Sequence, residues 1–162
     1  MTAWRAFADW SEEYLNRLCG DYRFNAGGFS FTMQGYQRYA NAHKDDNALY
    51  LFDKSCFKAI PALADAFEVP VYFRDDLFAY LEEERPDYRW IIIGPARSGS
   101  SFHKDPNCTS AWNAVIRGKK RWIMFPPNVT PPGVHASKDG ADVATPVALY
   151  EWFMDFYSVS VF

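Results

Sequence analysis

The stretch "SGSSFHKDPNCTSAWNAVIRGKKRWIMFPP", residues 98–127, decides how this chain reads. Its runs "SSFHKD", "TSAWNAVIRG" and "KRWIMFP", with "YRWIIIGP" before them from Tyr88, are rich in β-branched and aromatic residues and are divided by Gly, Ser, Pro and Asn turns. Such spacing predicts four strands of a sandwich or small barrel. Side chains two apart on a strand point to one face, so His103 and Asp105 project together. One imidazole beside one carboxylate makes two points of a metal grip. A distant second histidine would complete the two-histidine, one-carboxylate triad that leaves positions on Fe(II) open. Without further context, an HxD pair is more often an exposed polar strand end.

Upstream, Trp4, Phe7, Trp10, Tyr14 and Leu18 recur at steps of three and four, predicting one docking helix over residues 3–18 that stops at Gly20. "DYRFNAG" and "FSFTM" read as two strands around a Gly27-Gly28 turn, followed by a helix through "QGYQRYANA". "ALYLFD" is a short strand, and a helix from Phe57 to Phe67 follows it. Downstream, "NVTPPGVHASKDGADVATP" is a polar connection, and "VALYEWFMDFY" is helical with Thr145-Pro146 as its opening. The chain thus divides into residues 1–87, helix and strand elements; 88–127, the strands with the HxD pair and a lysine-bearing turn; and 128–162, a loop and helix. The break near residue 87 falls inside one domain.

The 162 residues suffice for one domain with a real core, and an aromatic content of 19% argues against disorder. A formal charge of −3 gives no electrostatic footprint for nucleic acid or an anionic membrane. The N-terminus lacks the apolar run of a signal peptide, and no stretch approaches a membrane span, so the expectation is an intracellular chain. Cys19, Cys56 and Cys108 are odd in number and far apart, hence free thiols.

The ordered pattern Gly94-Pro95, Arg97-Ser98-Gly99, His103, Asp105-Pro106, Thr109-Ser110-Ala111-Trp112-Asn113, Gly118, Lys120-Arg121-Trp122 and Phe125-Pro126 resembles the jumonji C (JmjC) oxygenases. Within that family the likeness is to the arginine demethylases and lysyl hydroxylases. Weaker similarity runs back through "FRDDLFAYL", "ALYLFD" and "WSEEYL". The resemblance implies a double-stranded β-helix, a cupin-like jelly roll with flanking helices, and a dioxygenase that uses Fe(II) and 2-oxoglutarate to hydroxylate or demethylate a protein side chain. It implies His103 and Asp105 as iron ligands and Lys120 as the partner of the distal carboxylate of 2-oxoglutarate. Ser100 stands where relatives have threonine, and Asn113 and Tyr50 match family positions that line the same pocket. No catalytic group beyond the metal ligands is implied. Tyr50 reads equally well as a core aromatic, and Trp112 and Trp122 read as core rather than substrate platforms. A nuclear location is a family expectation.

The other histidines are His43, which lies where relatives have no ligand, and His135, which sits 32 residues after His103 in a Pro- and Gly-rich loop. The family's second histidine comes far later, in a Trp-rich strand that "SVSVF" does not match. The resemblance is therefore to the N-terminal part of a JmjC domain, with the last jelly-roll strands missing through truncation, an alternative transcript or a wrong gene model. Two ligands on one strand would hold Fe(II) weakly, so the chain as written is expected to be inactive. The alternative is a non-catalytic JmjC remnant that serves as a protein-binding module.

Overall fold

The structure, a computed structural model, describes residues 3–105, 109–137, 143–144 and 148–160. The element order is α1 (Arg5–Asp9), α2 (Glu12–Cys19), β1 (Phe24–Ala26), β2 (Phe29–Phe31), α3 (Met33–Ala42), β3 (Leu51–Asp53), α4 (Cys56–Ala59), α5 (Pro61–Ala64) and β4 (Ile91–Ile93). After these come β5 (His135–Ala136), β6 (Val143–Ala144), α6 (Leu149–Asp155) and α7 (Tyr157–Ser160). Two 3₁₀ segments, Val71–Phe73 and Leu77–Glu84, the second broken by a kink at Glu82, lie between α5 and β4.

The sheet is antiparallel in the order β2-β1-β3-β4. Gly27 and Gly28 both have positive φ, the requirement of a two-residue hairpin turn, and they set Phe24 against Phe31. β3 pairs with β4 through Leu51–Ile93, Phe52–Ile92 and Asp53–Ile91, so the sheet crosses the change of sequence pattern near residue 87. Alternation buries Leu51 and Asp53 and exposes Phe52. On the inner face Phe24, Leu51 and Ile91 pack with Met33 and Tyr36 of α3 and with Leu63 of α5.

Two expected helices are each divided. Over residues 3–18, α1 ends at Trp10, and Ser11 caps α2 by accepting the Tyr14 N–H at 3.2 Å. The Trp10 carbonyl takes the Arg117 guanidinium, from 107 positions along the chain. Between Phe57 and Phe67 the break falls at Pro61, which has no N–H and opens α5 as its first residue, while Ile60 before it leaves the helical region at φ −129°, ψ 81°.

The β-rich sequence after β4 forms no strand over the described residues of 100–127. A strand needs a ladder partner, and these segments are held by side chains instead. Trp112 sits in an aromatic cluster with Trp4, Phe67 and Phe73, at centroid distances of 6.0, 6.4 and 6.0 Å. Trp122, expected in the core, is half exposed. The connection read as a loop carries a short ribbon, β5 against β6. The helix expected at "VALYEWFMDFY" forms as α6, where Glu151 accepts the Ala148 N–H at 2.9 Å; Thr145, Pro146 and Cys108 lie outside the described residues. This four-stranded sheet with flanking helices is consistent with a partial jelly roll. Among the described residues, no helix is long and apolar enough to cross a membrane.

Candidate functional site

The predicted site residues fall into two contacting pairs and two isolated positions. His103 Nε2 lies 3.5 Å from Asp105 Oδ1, and both side chains are about half exposed. His103 Nδ1 is 2.7 Å from the Ser101 carbonyl oxygen. A carbonyl can only accept, so this contact places the proton of neutral His103 on Nδ1 and leaves the Nε2 lone pair facing Asp105. Histidine metal ligands carry the same outer-shell bond, which fixes ring and tautomer. One ion with bonds of about 2.1 Å to each donor can bridge the 3.5 Å gap. In donor type and tautomer, the pair fits a first-row divalent metal at two positions.

No third ligand joins it: among the described residues, no three His, Cys, Asp or Glu side chains gather closely enough to hold an ion. His43 caps the end of α3 with its ring stacked on Tyr39 at 5.5 Å, and His135 is exposed on β5.

The second pair is Lys120 and Tyr50. Lys120 Nζ donates to the Tyr50 hydroxyl at 3.4 Å and stands 4.4 Å over the Trp122 ring. Partial burial lowers the Lys120 pKa from its ordinary range, and burial raises that of Tyr50. Neither the long bond to Tyr50 nor the Trp122 ring neutralises the ammonium, so it can still pair with an anion. Ser100 and Asn113 are exposed, and neither hydrogen-bonds to either pair among the described residues.

Two contributors have no role assigned from the sequence, where Gly94 stands only as a member of the ordered pattern. A Cβ on Gly94 would lie 2.7 Å from Tyr50 Cδ2 and would collide with Ser98 Oγ. Gly94 therefore lets the Tyr50 ring lie against β4 and reach Lys120; the Gly-Pro step after "III" was its only signal. Behind the HxD segment, Phe102 stacks edge-on against Trp152 of α6, with centroids 4.8 Å apart.

Residues 23–132 match the family model described as a cupin-like domain. The chain belongs to the cupin-like domain family. This cupin-like chain is 55% identical over 157 residues to a protein named arginine-specific demethylase JMJ22 from Arabidopsis thaliana, an alignment that takes in 97% of the chain and 31% of that protein. It is 38% identical over 133 residues to the bifunctional arginine demethylase and lysyl-hydroxylase psr-1 of Caenorhabditis elegans, covering 76% of the chain and 33% of that protein. It is 32% identical over 121 residues to the human 2-oxoglutarate and iron-dependent oxygenase JMJD4, covering 67% of the chain and 28% of that protein. The alignments thus span about a third of each relative. These names bear out the resemblance to JmjC oxygenases.

Proposed function

We propose that this chain carries part of the metal and cosubstrate site of an Fe(II)- and 2-oxoglutarate-dependent oxygenase acting on protein side chains. The observation that carries the reading is the His103–Asp105 pair, with its donors 3.5 Å apart and the imidazole tautomer set by the Ser101 carbonyl. His103 Nε2 and Asp105 would hold the metal, and Lys120 with Tyr50 would hold the distal carboxylate of 2-oxoglutarate. Ser100 and Asn113 would come to the pocket only with a change in their surroundings. When bound, iron with 2-oxoglutarate supplies the oxidising chemistry of hydroxylation, and demethylation follows where the hydroxylated carbon is an N-methyl group. The relatives named as arginine demethylases and lysyl hydroxylase support a protein substrate.

With two described ligands the ion is held weakly, and we infer no turnover by the 162-residue chain. The test is Mn(II) binding followed by water-proton relaxation, with and without 2-oxoglutarate. Wild-type chain binds Mn(II) and binds it more tightly with 2-oxoglutarate. His103→Ala and Asp105→Ala lose binding, and Lys120→Ala loses the tightening. Mn(II) binding that is indifferent to His103 and Asp105 overturns the proposal, and succinate release by the wild-type chain overturns the inferred inactivity.

A second reading, a protein-binding module without catalysis, is favoured by exposed aromatics on the outer sheet face. Phe52 and Trp90 are each 40% exposed with rings 4.4 Å apart. A chain that binds no Mn(II) yet keeps its fold would favour this reading.

A further inference from the structure

The HxD segment belongs to no strand, so hydrogen-bonded neighbours do not fix its direction. Its alternate residues are nevertheless anchored. Phe102 meets Trp152 at 4.8 Å and Phe125 at 5.9 Å, both edge to face, and Lys104 Nζ donates to the Pro127 carbonyl at 3.2 Å. His103 and Asp105, the other alternates, stay exposed and in contact with each other. The segment is pinned on one side and presents its donors on the other.

Trp152 is the firm end of this arrangement. It is 3% exposed, and its indole Nε1–H donates to the Pro132 carbonyl at 2.8 Å. The loop that supplies this carbonyl is tightened by the Val134 N–H donating to the Pro131 carbonyl at 3.2 Å. Gly133, at φ +67°, lies so close to the Phe156 ring that a Cβ there would stand 2.5 Å from it. The indole is therefore held by a hydrogen bond at its polar edge and packed among the rings of Phe153, Phe156 and Tyr157, at centroid distances of 5.8, 6.5 and 6.4 Å, whereas Phe102 rests on it through dispersion alone. Of the two, the tryptophan imposes position and the phenylalanine receives it.

We propose that Trp152 is a positioning residue for the metal pair, acting through Phe102 to hold His103 and Asp105 at their bridging separation. This inference rests on the proposed metal-binding reading. An aromatic edge contact contributes about 0.5–1.5 kcal/mol beyond burial, equivalent to roughly a 2- to 13-fold change in an equilibrium constant. Because both donors move with one segment, misdirecting it affects two bonds to the ion together.

The experiment is a titration of the isotope-labelled chain with Mn(II) chloride, read by paramagnetic broadening of the His103 ring resonances, which are assigned by comparison with His103→Ala. Wild type broadens at His103 before His43 or His135. Trp152→Ala requires at least fivefold more Mn(II) for the same broadening, while resonances of the Tyr36 core stay in place. Trp152→Phe, which keeps a ring against Phe102, stays within twofold of wild type. If wild type shows no preference for His103, the metal-binding reading falls and takes this inference with it. If wild type shows the preference and Trp152→Ala matches it, the positioning role alone is overturned. Should Trp152→Ala lose the core resonances, Phe102→Leu carries the test: a fivefold loss supports the role and an unchanged titration overturns it.

Discussion

Removing one oxygen atom should reveal what joins helix α3 to the sheet. Tyr36 is fully buried, and its hydroxyl lies 2.8 Å from the Ile93 carbonyl oxygen, 2.9 Å from the Leu49 carbonyl oxygen and 3.3 Å from the Leu51 N–H. A hydroxyl has one proton to donate, so it serves one carbonyl at a time while accepting from Leu51. Tyr36→Phe keeps the ring and opens almost no cavity, which isolates the polar contribution. It leaves a buried carbonyl and part of a buried N–H without their partner, at about 1–3 kcal/mol for each group fully unmet. Counting one lost donor bond and a partial acceptor loss gives about 2–3 kcal/mol. For a chain of this length that is a fall in Tm of roughly 5–10 °C, at about 2–4 °C per kcal/mol. Urea unfolding followed by tryptophan fluorescence should show a lower midpoint at unchanged slope. A loss below about 0.5 kcal/mol would refute the reasoning, because it would mean that water or backbone rearrangement replaces the hydroxyl.

Asp53 is buried and accepts from the Ser55 and Cys56 N–H groups at 2.9 and 2.8 Å and from the Tyr22 hydroxyl at 3.2 Å; Asp53→Ala should cost about 2–4 kcal/mol in the same urea assay, through donors left unmet at the entry to α4 and on Tyr22. Burial raises Cys19 to about 11 and Cys56 to about 12 from an ordinary 9.0, and raises Tyr22 and Tyr36 to about 12 from 10.0. The unfolded chain therefore sheds these protons first, so stability should be level below about pH 9 and fall as pH rises toward 12, which urea midpoints from pH 7 to 10.5 would show. The same two thiols should resist alkylation at pH 8 in the folded chain and react in urea, as peptide mass mapping would reveal. Gly94→Ala would drive a methyl into Tyr50 and Ser98, and should weaken the tightening of Mn(II) binding by 2-oxoglutarate while leaving His103 broadening by Mn(II) alone unchanged.

Local chemistry was legible where it acts on neighbours in sequence. The Gly27-Gly28 hairpin, α3, β3, β4 and α6 stand where turn residues and periodicity put them. The HxD pair is together because two residues apart is close in any extended chain. What escaped depends on distant partners. Ser11 and Pro61 could have announced the two helix breaks, but apolar spacing alone outweighed them in the reading. Arg117 reaching the Trp10 carbonyl, and Asp53 gathering four donors, have no local signature. The strands expected between residues 100 and 127 are absent from the described residues there for the opposite reason, because propensity sees the side chains of a strand and not the neighbour that must hydrogen-bond it.

That failure bears on the site itself. In a complete sheet, ladder hydrogen bonds set the direction of every second side chain, and a site inherits its geometry from the backbone. In the proposed site the donors and the cation are set by individual contacts: Ser101 for the His103 tautomer, Phe102 on Trp152 for the segment, and Gly94 with Tyr50 for Lys120. Each such contact contributes about 1 kcal/mol, close enough to thermal energy that the loss of one can reorganise a pair. On the proposed reading, Mn(II) affinity should therefore respond to substitution at Trp152, and its tightening by 2-oxoglutarate to substitution at Gly94, although neither residue carries a ligand atom.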